Sequence, residues 1–240
     1  MNKMLYEGKA KRVFEVHGVS DQVLVEYKDS LTAFNALKKG SFENKGSINR
    51  NITSLLFRYL AHKGVKTHWL EDRGDNSMLV TKVTIIPLEV VVRNILAGST
   101  AKKLGIPEGK KLGSPLVEFY YKNDELQDPF LSDDQAFMLG IVTESDLGEL
   151  KRQALQINAE LRALFLKLGI DLVDFKIEFG KNHNGRILLA DEISPDCCRL
   201  WDLKSGEKLD KDRFRRDLGN IKESYEDVYS RLQEYLKEEL

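Results

Sequence analysis

Lys176, Glu178 and Asp191 are the residues of this chain whose types and spacing could handle a phosphate; they lie within LVDFKIEFGKNHNGRILLADEISPDCCRLWD, residues 172–202. Two carboxylates brought face to face repel unless a cation sits between them. Oxygen ligands of that kind suit Mg²⁺, which is usually held by one or two carboxylates together with substrate phosphates. A lysine alongside would supply a point charge to a phosphoryl group in transfer. The chemistry to expect is that of a metal–nucleotide site. Acids beside a lysine also describe an ordinary solvated polar face, so local pattern leaves both readings open.

A β-hairpin is what must position these groups. Val173, Phe175, Ile177 and Phe179 alternate with Asp174, Lys176 and Glu178, the period of a half-buried strand. Asn184-Gly185 is a strong two-residue turn signal. A turn centred there predicts Glu178 opposite Asp191 and Lys176 opposite Ile193, each pair sharing a face. A slip of one residue would instead put Ala190 opposite Glu178 and send Asp191 to the other side. The same register points Glu192 toward the apolar side.

Other polar groups fall in three places. Tyr6-Glu7-Gly8-Lys9-Ala10-Lys11-Arg12 is a glycine turn rich in cations, able to meet phosphate oxygens or to remain a solvated hairpin. Arg93 ends the apolar run IIPLEVVVRN, where an arginine needs an anion, either Glu89 or another acid of the protein or a group on a ligand. Ser194-Pro195-Asp196 with Arg199 follows the hairpin, and the proline favours an extended turn that holds Asp196 and Arg199 at a rim. Arg213, Arg215 and Arg216 open a predicted last helix, where cations oppose the dipole and hint at an anion. The four histidines show no triad or metal spacing.

Composition limits the partners. A net charge of −1 lacks the basic excess of a general nucleic-acid binder, while leaving room for local cationic pockets. No apolar run approaches the ~20 residues of a membrane span. The first residues lack a signal-peptide core, and the only two cysteines, Cys197 and Cys198, are adjacent, which suits neither a disulfide framework nor a zinc site. A cytoplasmic protein is expected.

Along the chain, β-type runs are predicted at 5–8, 13–16 and 22–27, a helix at 47–62 stopped by Gly64, a turn at 72–76 and a strand at 78–83. The run 83–96, interrupted by Pro87, reads as buried strand. Residues 98–115 read as loop, 116–121 as strand and 123–134 as an acidic, turn-rich stretch. Helices are predicted at 146–168, capped by Asp146 with Glu149 and ended by Gly169, and at 212–238. This order fits an α+β protein with a β-rich N-terminal lobe, 1–82, and a larger α+β lobe, 83–240.

Taken in order, YEGKAKRV, IIPLEVVVRNILAGS, FYYKNDELQDP, LVDFKIEFG, DEISPDCCRLWD and LDKDRFR make the chain resemble the phosphoribosylaminoimidazole-succinocarboxamide synthase (SAICAR synthetase) family over essentially its whole length. Cys197-Cys198 departs from the smaller residues that similar proteins often carry there. The resemblance implies a two-lobed fold, distantly protein-kinase-like or ATP-grasp-like, with ATP in the interlobe cleft. It implies a carbon–nitrogen ligase that joins L-aspartate to the carboxylate of 5-aminoimidazole-4-carboxylate ribotide (CAIR) through an acyl phosphate, giving SAICAR, ADP and phosphate. By the same resemblance Lys9, Ala10, Lys11, Lys82 and Lys122 would contact the nucleotide, and the backbone of residues 81–83 would meet adenine. Glu178 and Asp191 would hold Mg²⁺, and Lys176 would stabilise the transferring phosphoryl group. Arg93, Ser99, Arg199 and Arg215 would grip CAIR, and Asp128 and Asp196 would bind or deprotonate the amine. A homo-oligomer without nucleic-acid or membrane partners is expected. Two rivals remain: a small-molecule kinase releasing a phosphorylated product, and a nucleotide-binding regulatory module without turnover.

Overall fold

Short alternating runs at the N-terminus form antiparallel strands, as their period requires. The computed structural model describes residues 3–33, 37–237 and 239. Strands β1 (Met4–Glu7), β2 (Lys11–Val16) and β3 (Val19–Tyr27) are followed by the hairpin β4 (Ser30–Ala33) and β5 (Lys38–Ser41), then helix α1 (Lys45–His62), β6 (Trp69–Arg73) and β7 (Ser77–Thr81). The first sheet runs β1-β2-β3-β7-β6 and keeps a small core of Val23, Val25, Tyr27, Met78 and Val80. Gly64, at φ 83°, closes the turn after α1 as anticipated.

The second sheet carries the chemistry. It is built from β8 (Thr84–Ile95), β9 (Lys111–Tyr121), β10 (Phe130–Leu131), β11 (Ile170–Lys181), β12 (Ile187–Ala190) and β13 (Cys198–Asp202) in the order β10-β9-β8-β11-β12, with β13 also paired to β11. The predicted buried strand through Pro87 is β8. Pro87 lacks an N–H, and it falls where the β8–β11 register shifts between Glu89 and Ile85. Residues 98–115 are not all loop: Gly98–Lys103 form helix α2, and β9 begins at Lys111. One sheet face presents Leu88, Val90, Val92, Phe175, Ile177 and Phe179 to the main core. Helix α4 (Glu144–Lys167), which follows the short α3 (Asp133–Met138), covers that core with Leu150, Ala154, Ile157 and Leu161. The α4 N-cap is Thr143, not Asp146, and Asp146 is the reciprocal partner in its capping box.

Two expectations about the last third are corrected. The predicted single helix 212–238 is two, α5 (Asp212–Arg215) and α6 (Ile221–Leu236), because Asp217, Gly219 and Asn220 all take positive φ. Arg213 and Arg215 therefore sit in the last turn of a four-residue helix, and the supposed conflict with a dipole disappears. The expected end at Glu238 lies outside the described residues. The hairpin also differs: its connection is the five residues 182–186, organised by the Asn182 side chain, which accepts from the N–H groups of Asn184 and Arg186. That side chain fixes a longer loop than the Asn-Gly dipeptide alone suggests.

Helix α1 does not stay with the first sheet's core. Its Ile48, Ile52, Leu56 and Leu60 share the main core with Tyr225, Val228, Leu232 and Leu236 of α6. Between α1 and β6 the backbone ties both sheets together: His68 N–H donates to Leu189 O at 2.8 Å, and Thr81 N–H donates to His68 O at 2.7 Å.

Candidate active site

The longer loop moves the hairpin by one residue: Glu178 pairs with Ala190, not Asp191. Lys176 does not face Ile193; it pairs with Val91 of β8, and on its other side its N–H donates to Cys197 O at 2.9 Å. A slip of one would normally turn Asp191 away. It does not here, because β12 ends at Ala190 and Asp191 itself adopts φ 59°. That left-handed residue re-aims the chain, so Asp191 reaches the cleft from beyond the ladder. The placement exploits a split in the sheet, since β11 is lined by β13 up to Phe175 and by β12 from Glu178 onward. Residues 191–197 leave the sheet in that gap, beside Lys176.

Alternation on β8, β9 and β11 puts Glu89, Val91, Arg93, Glu118, Tyr120, Asp174, Lys176 and Glu178 on one face, opposite the core. At one end, Lys11 from β2 donates to Asp191 Oδ1 at 2.5 Å and lies 2.9 Å from Glu192 Oε1. Glu192 is thus a cleft residue, not an apolar-side misfit. Lys122 meets both Glu178 oxygens at 2.5 Å, and Lys176 pairs with Glu89, with Glu178 Oε1 3.8 Å away. Burial and the charge of Asp191 raise the Glu178 carboxyl above its usual range, against Lys122 and Lys176. Burial would also raise Asp191, but Lys11, Lys122 and Lys176 outweigh it and bring its pKa down to about 2. Lys11 and Lys176 both resist burial and are raised by the acids they face.

The other end is an arginine–carboxylate chain. Arg93, 4% exposed, donates to Glu118 and Asp174, each at 2.7 Å, rather than to Glu89. Asp174 also receives Arg199 at 2.8 Å; Asp212 receives Arg199 at 3.0 Å and Arg215 at 2.5 Å. The acids that Arg93 needs are therefore Glu118 and Asp174, and of the five N–H donors of a guanidinium these two ion pairs use two. Asp196 is not at a rim. Its side chain is 7% exposed, held by Lys45 at 2.6 Å and the Tyr225 hydroxyl at 2.7 Å. Burial notwithstanding, Lys45 and Lys211 drive its pKa well below the carboxylate range, which makes it a poor proton acceptor.

These groups line two adjoining cavities. The first, about 310 Å³, holds Lys9, Ala10, Lys11, Lys122, Asp128, Lys176, Asp191 and Asp196 of the expected set. The second, about 330 Å³, holds Arg93, Asp128, Lys176, Asp196, Arg199 and Arg215. Glu89, Asp128, Lys176, Asp196, Cys197 and Lys211 face both. Three expected residues line neither cavity: Glu178, whose side chain is buried against Lys122, and two that are not brought into the cleft. Lys82 lines a larger, open cavity of about 690 Å³ with Asp21, Lys181 and His183, without the acids of the cleft. Ser99 is exposed in the first turn of α2 and lines neither cleft cavity. Gly98 beside it does approach: a Cβ there would collide with the Arg199 guanidinium.

Sequence reasoning missed Glu89, Lys45, Glu192 and Lys211. Glu89 could have been found, since it shares strand parity with Arg93; Lys45 and Lys211 carry no local signal. Among the described residues no group of three or more His, Cys, Asp or Glu could hold a metal. Glu178 and Asp191 are two hard oxygen donors of the kind Mg²⁺ takes, and here each is paired with a lysine, Lys122 and Lys11.

The sequence profile of SAICAR synthetase matches residues 4–232. The chain belongs to the SAICAR synthetase family. A phosphoribosylaminoimidazole-succinocarboxamide synthase of Clostridium botulinum is 55% identical over 95% of this chain and 97% of its own length. One from Bacillus mycoides is 53% identical over 96% of each. The crystal structure of the Ehrlichia chaffeensis enzyme superimposes with a TM-score of 0.94 at 45% identity, covering 96% of this chain and 98% of that one. A SAICAR synthetase solved in complex with ADP gives a TM-score of 0.92 at 46% identity, covering 96% and 97%. The α+β architecture is thus that of the SAICAR synthetases, and the chain is an ATP-dependent ligase of purine biosynthesis.

Proposed function

We propose that this chain joins L-aspartate to the carboxylate of CAIR, with ATP and Mg²⁺, yielding SAICAR, ADP and phosphate. The observation that carries the reading is the junction of two cavities at Lys176, one lined by Lys9, Lys11, Lys122 and Asp191, with Glu178 buried against Lys122, the other by three arginines. The relative solved with ADP supports nucleotide in the first. Residues 1–82 supply its roof and 83–240 its floor; the expected adenine contact, the backbone of 81–83, does not line this cavity, and Lys82 and Val83 line the separate open one.

Joining an amine to a carboxylate in water requires that the carboxylate be activated. A CAIR carboxylate oxygen takes the γ-phosphoryl group of ATP, releasing ADP. The aspartate amine then attacks the acyl carbon, phosphate leaves and the nitrogen loses a proton. Every reactant is anionic, so the work is positioning and charge neutralisation. Lys9, Ala10 and Lys11 cover the phosphates, with Lys122 beside them. Mg²⁺ bound at Glu178 and Asp191 would neutralise phosphate oxygens. Lys176, at the junction, meets the group in transfer. Arg93, Arg199 and Arg215 hold the CAIR end, with Ser99 adjacent through Gly98. Asp128, which faces both cavities, takes the amine proton; Asp196, kept ionised by Lys45, attracts the ammonium. Lys82 is left with at most an outer nucleotide contact. A cytoplasmic, homo-oligomeric enzyme completes the reading.

The test is ADP release with CAIR and L-aspartate omitted in turn. Turnover should require both, and ¹⁸O placed in the CAIR carboxylate should appear in phosphate. ADP formed without aspartate, alongside a stable phosphorylated acceptor, would identify a kinase instead. Nucleotide binding without turnover under any of these conditions would leave a regulatory module.

A further inference from the structure

Among the described residues, Lys211 is the one cation besides Lys176 that faces both cleft cavities, and the reaction above leaves it without a task. Its side chain is 15% exposed, and its nearest carboxylate oxygen is Asp196 Oδ2, 4.0 Å from Nζ. That oxygen is already held by Lys45 at 2.6 Å. The Lys211 Nζ makes no hydrogen bond among the described residues, whereas Lys11, Lys122, Lys176, Arg93, Arg199 and Arg215 each sit on an acid. Burial lowers the Lys211 pKa, with Asp196 opposing it and Lys45 and Arg215 adding to it. A largely buried ammonium with so loose a counter-charge calls for an anion from a ligand.

The chemistry of the reactants selects which anion. The ribose phosphate lies across a sugar from the reacting carboxylate, so it belongs deep among the arginines and away from the junction. The carboxylate being phosphorylated has Lys176. The remaining anion that must lie at the junction is the α-carboxylate of the incoming amino acid, bonded to the carbon that bears the attacking amine. Asp196 and Lys211, 4.0 Å apart, form a facing acid and base that match an ammonium and its neighbouring carboxylate. Resting on the proposed ligase reading, we infer that Lys211 binds the α-carboxylate of L-aspartate and, with Asp196, orients the amine toward the acyl phosphate.

The experiment compares L-aspartate with its α-amide, L-isoasparagine, and its β-amide, L-asparagine, as nucleophiles for the wild type, Lys211→Met and Lys211→Arg. Loss of one charge-assisted contact predicts a rise of about 10- to 100-fold in KM for L-aspartate in Lys211→Met. The KM values for ATP and CAIR should stay within about 2-fold, which also shows that the site has folded. The wild-type preference for L-aspartate over L-isoasparagine should collapse toward unity in Lys211→Met, the preference over L-asparagine should persist, and Lys211→Arg should restore much of the first. An unchanged isoasparagine ratio, or a KM effect on CAIR instead, would overturn the assignment. A wild-type enzyme that releases ADP with no need of aspartate would sink the ligase reading itself, a separate result.

Discussion

Lys176 stands where the two cavities meet, paired with Glu89 and near Glu178, so in the proposed reaction its charge would already be in place for the phosphoryl group. Pre-placed charge of this kind acts mainly in the transition state. Lys176→Ala and Asp191→Ala should each cut kcat by about 10²-fold or more while circular dichroism shows an intact fold; wild-type rates in either would remove that residue from the mechanism. Arg215 plays a different part. It reaches the second cavity from α5 and is held by Asp212 at 2.5 Å. Arg215→Ala should raise KM for CAIR about 10-fold or more with a smaller change in kcat, as expected for a lost phosphate or carboxylate contact. An unchanged KM would place the residue outside the site.

At the scale of elements, the joints between strands and loops carry unusual titrating groups. His68 bridges the two sheets through its backbone, and burial, helped by Lys11 and opposed by Asp191, lowers its imidazole to about 4. An unfolded His68 would bind a proton below about 6.5, so between the two values the unfolded chain holds more protons and stability falls as pH falls. Asp210 runs the other way. It accepts N–H bonds from Leu200 of β13 and Asp212 of α5, yet burial and then the charge of Asp212 raise it to about 7. Its protonation favours the fold at low pH, and that gain is lost as pH rises from its unfolded value of 3.8 through about 7. The two windows overlap with opposite sign and comparable size, on the order of 3 kcal/mol each. Urea midpoints between pH 4 and 7 should therefore vary little from these two groups in the wild type. His68→Leu should leave stability that declines as pH rises, and Asp210→Asn stability that climbs with it. Parallel curves for wild type and variants would contradict both assignments.

For the molecule as a whole, the boundary at residue 82 separates two sheets but not two cores. Helix α1 lies N-terminal to the boundary, yet it buries Ile48, Ile52, Leu56 and Leu60 with α6 at the far end of the chain. A fragment of residues 1–82 would expose that whole stripe, and the first sheet's five-residue core is too small to compensate. The fragment should be largely unfolded by circular dichroism and hydrogen exchange, and a cooperative thermal transition in it would show an independent lobe. The same connectivity suits the cleft, since Lys45 at the start of α1, Asp196 below β12 and Tyr225 on α6 meet in one buried cluster. No helix is long and apolar enough to cross a membrane among the described residues.

Much of this was legible in local pattern. Alternation alone placed Asp174, Lys176 and Glu178 on one face and Phe175, Ile177 and Phe179 on the other, because a strand's side chains alternate whatever surrounds it. Helical period and Gly64 and Gly169 marked α1 and α4, since burying an apolar stripe and ending at positive φ are local demands. Resemblance across six segments carried the family. Pairing was another matter. The register of Glu178 depended on how Asn182 folds its own loop, and the arrival of Asp191 depended on one left-handed residue beyond the strand end. Lys45, Glu192 and Lys211 join the cleft from segments far apart along the chain, and the ion pairs that hold them form only after the sheets and α6 have packed. A charge's partner is set by distances across space, and adjacent residues say little about those.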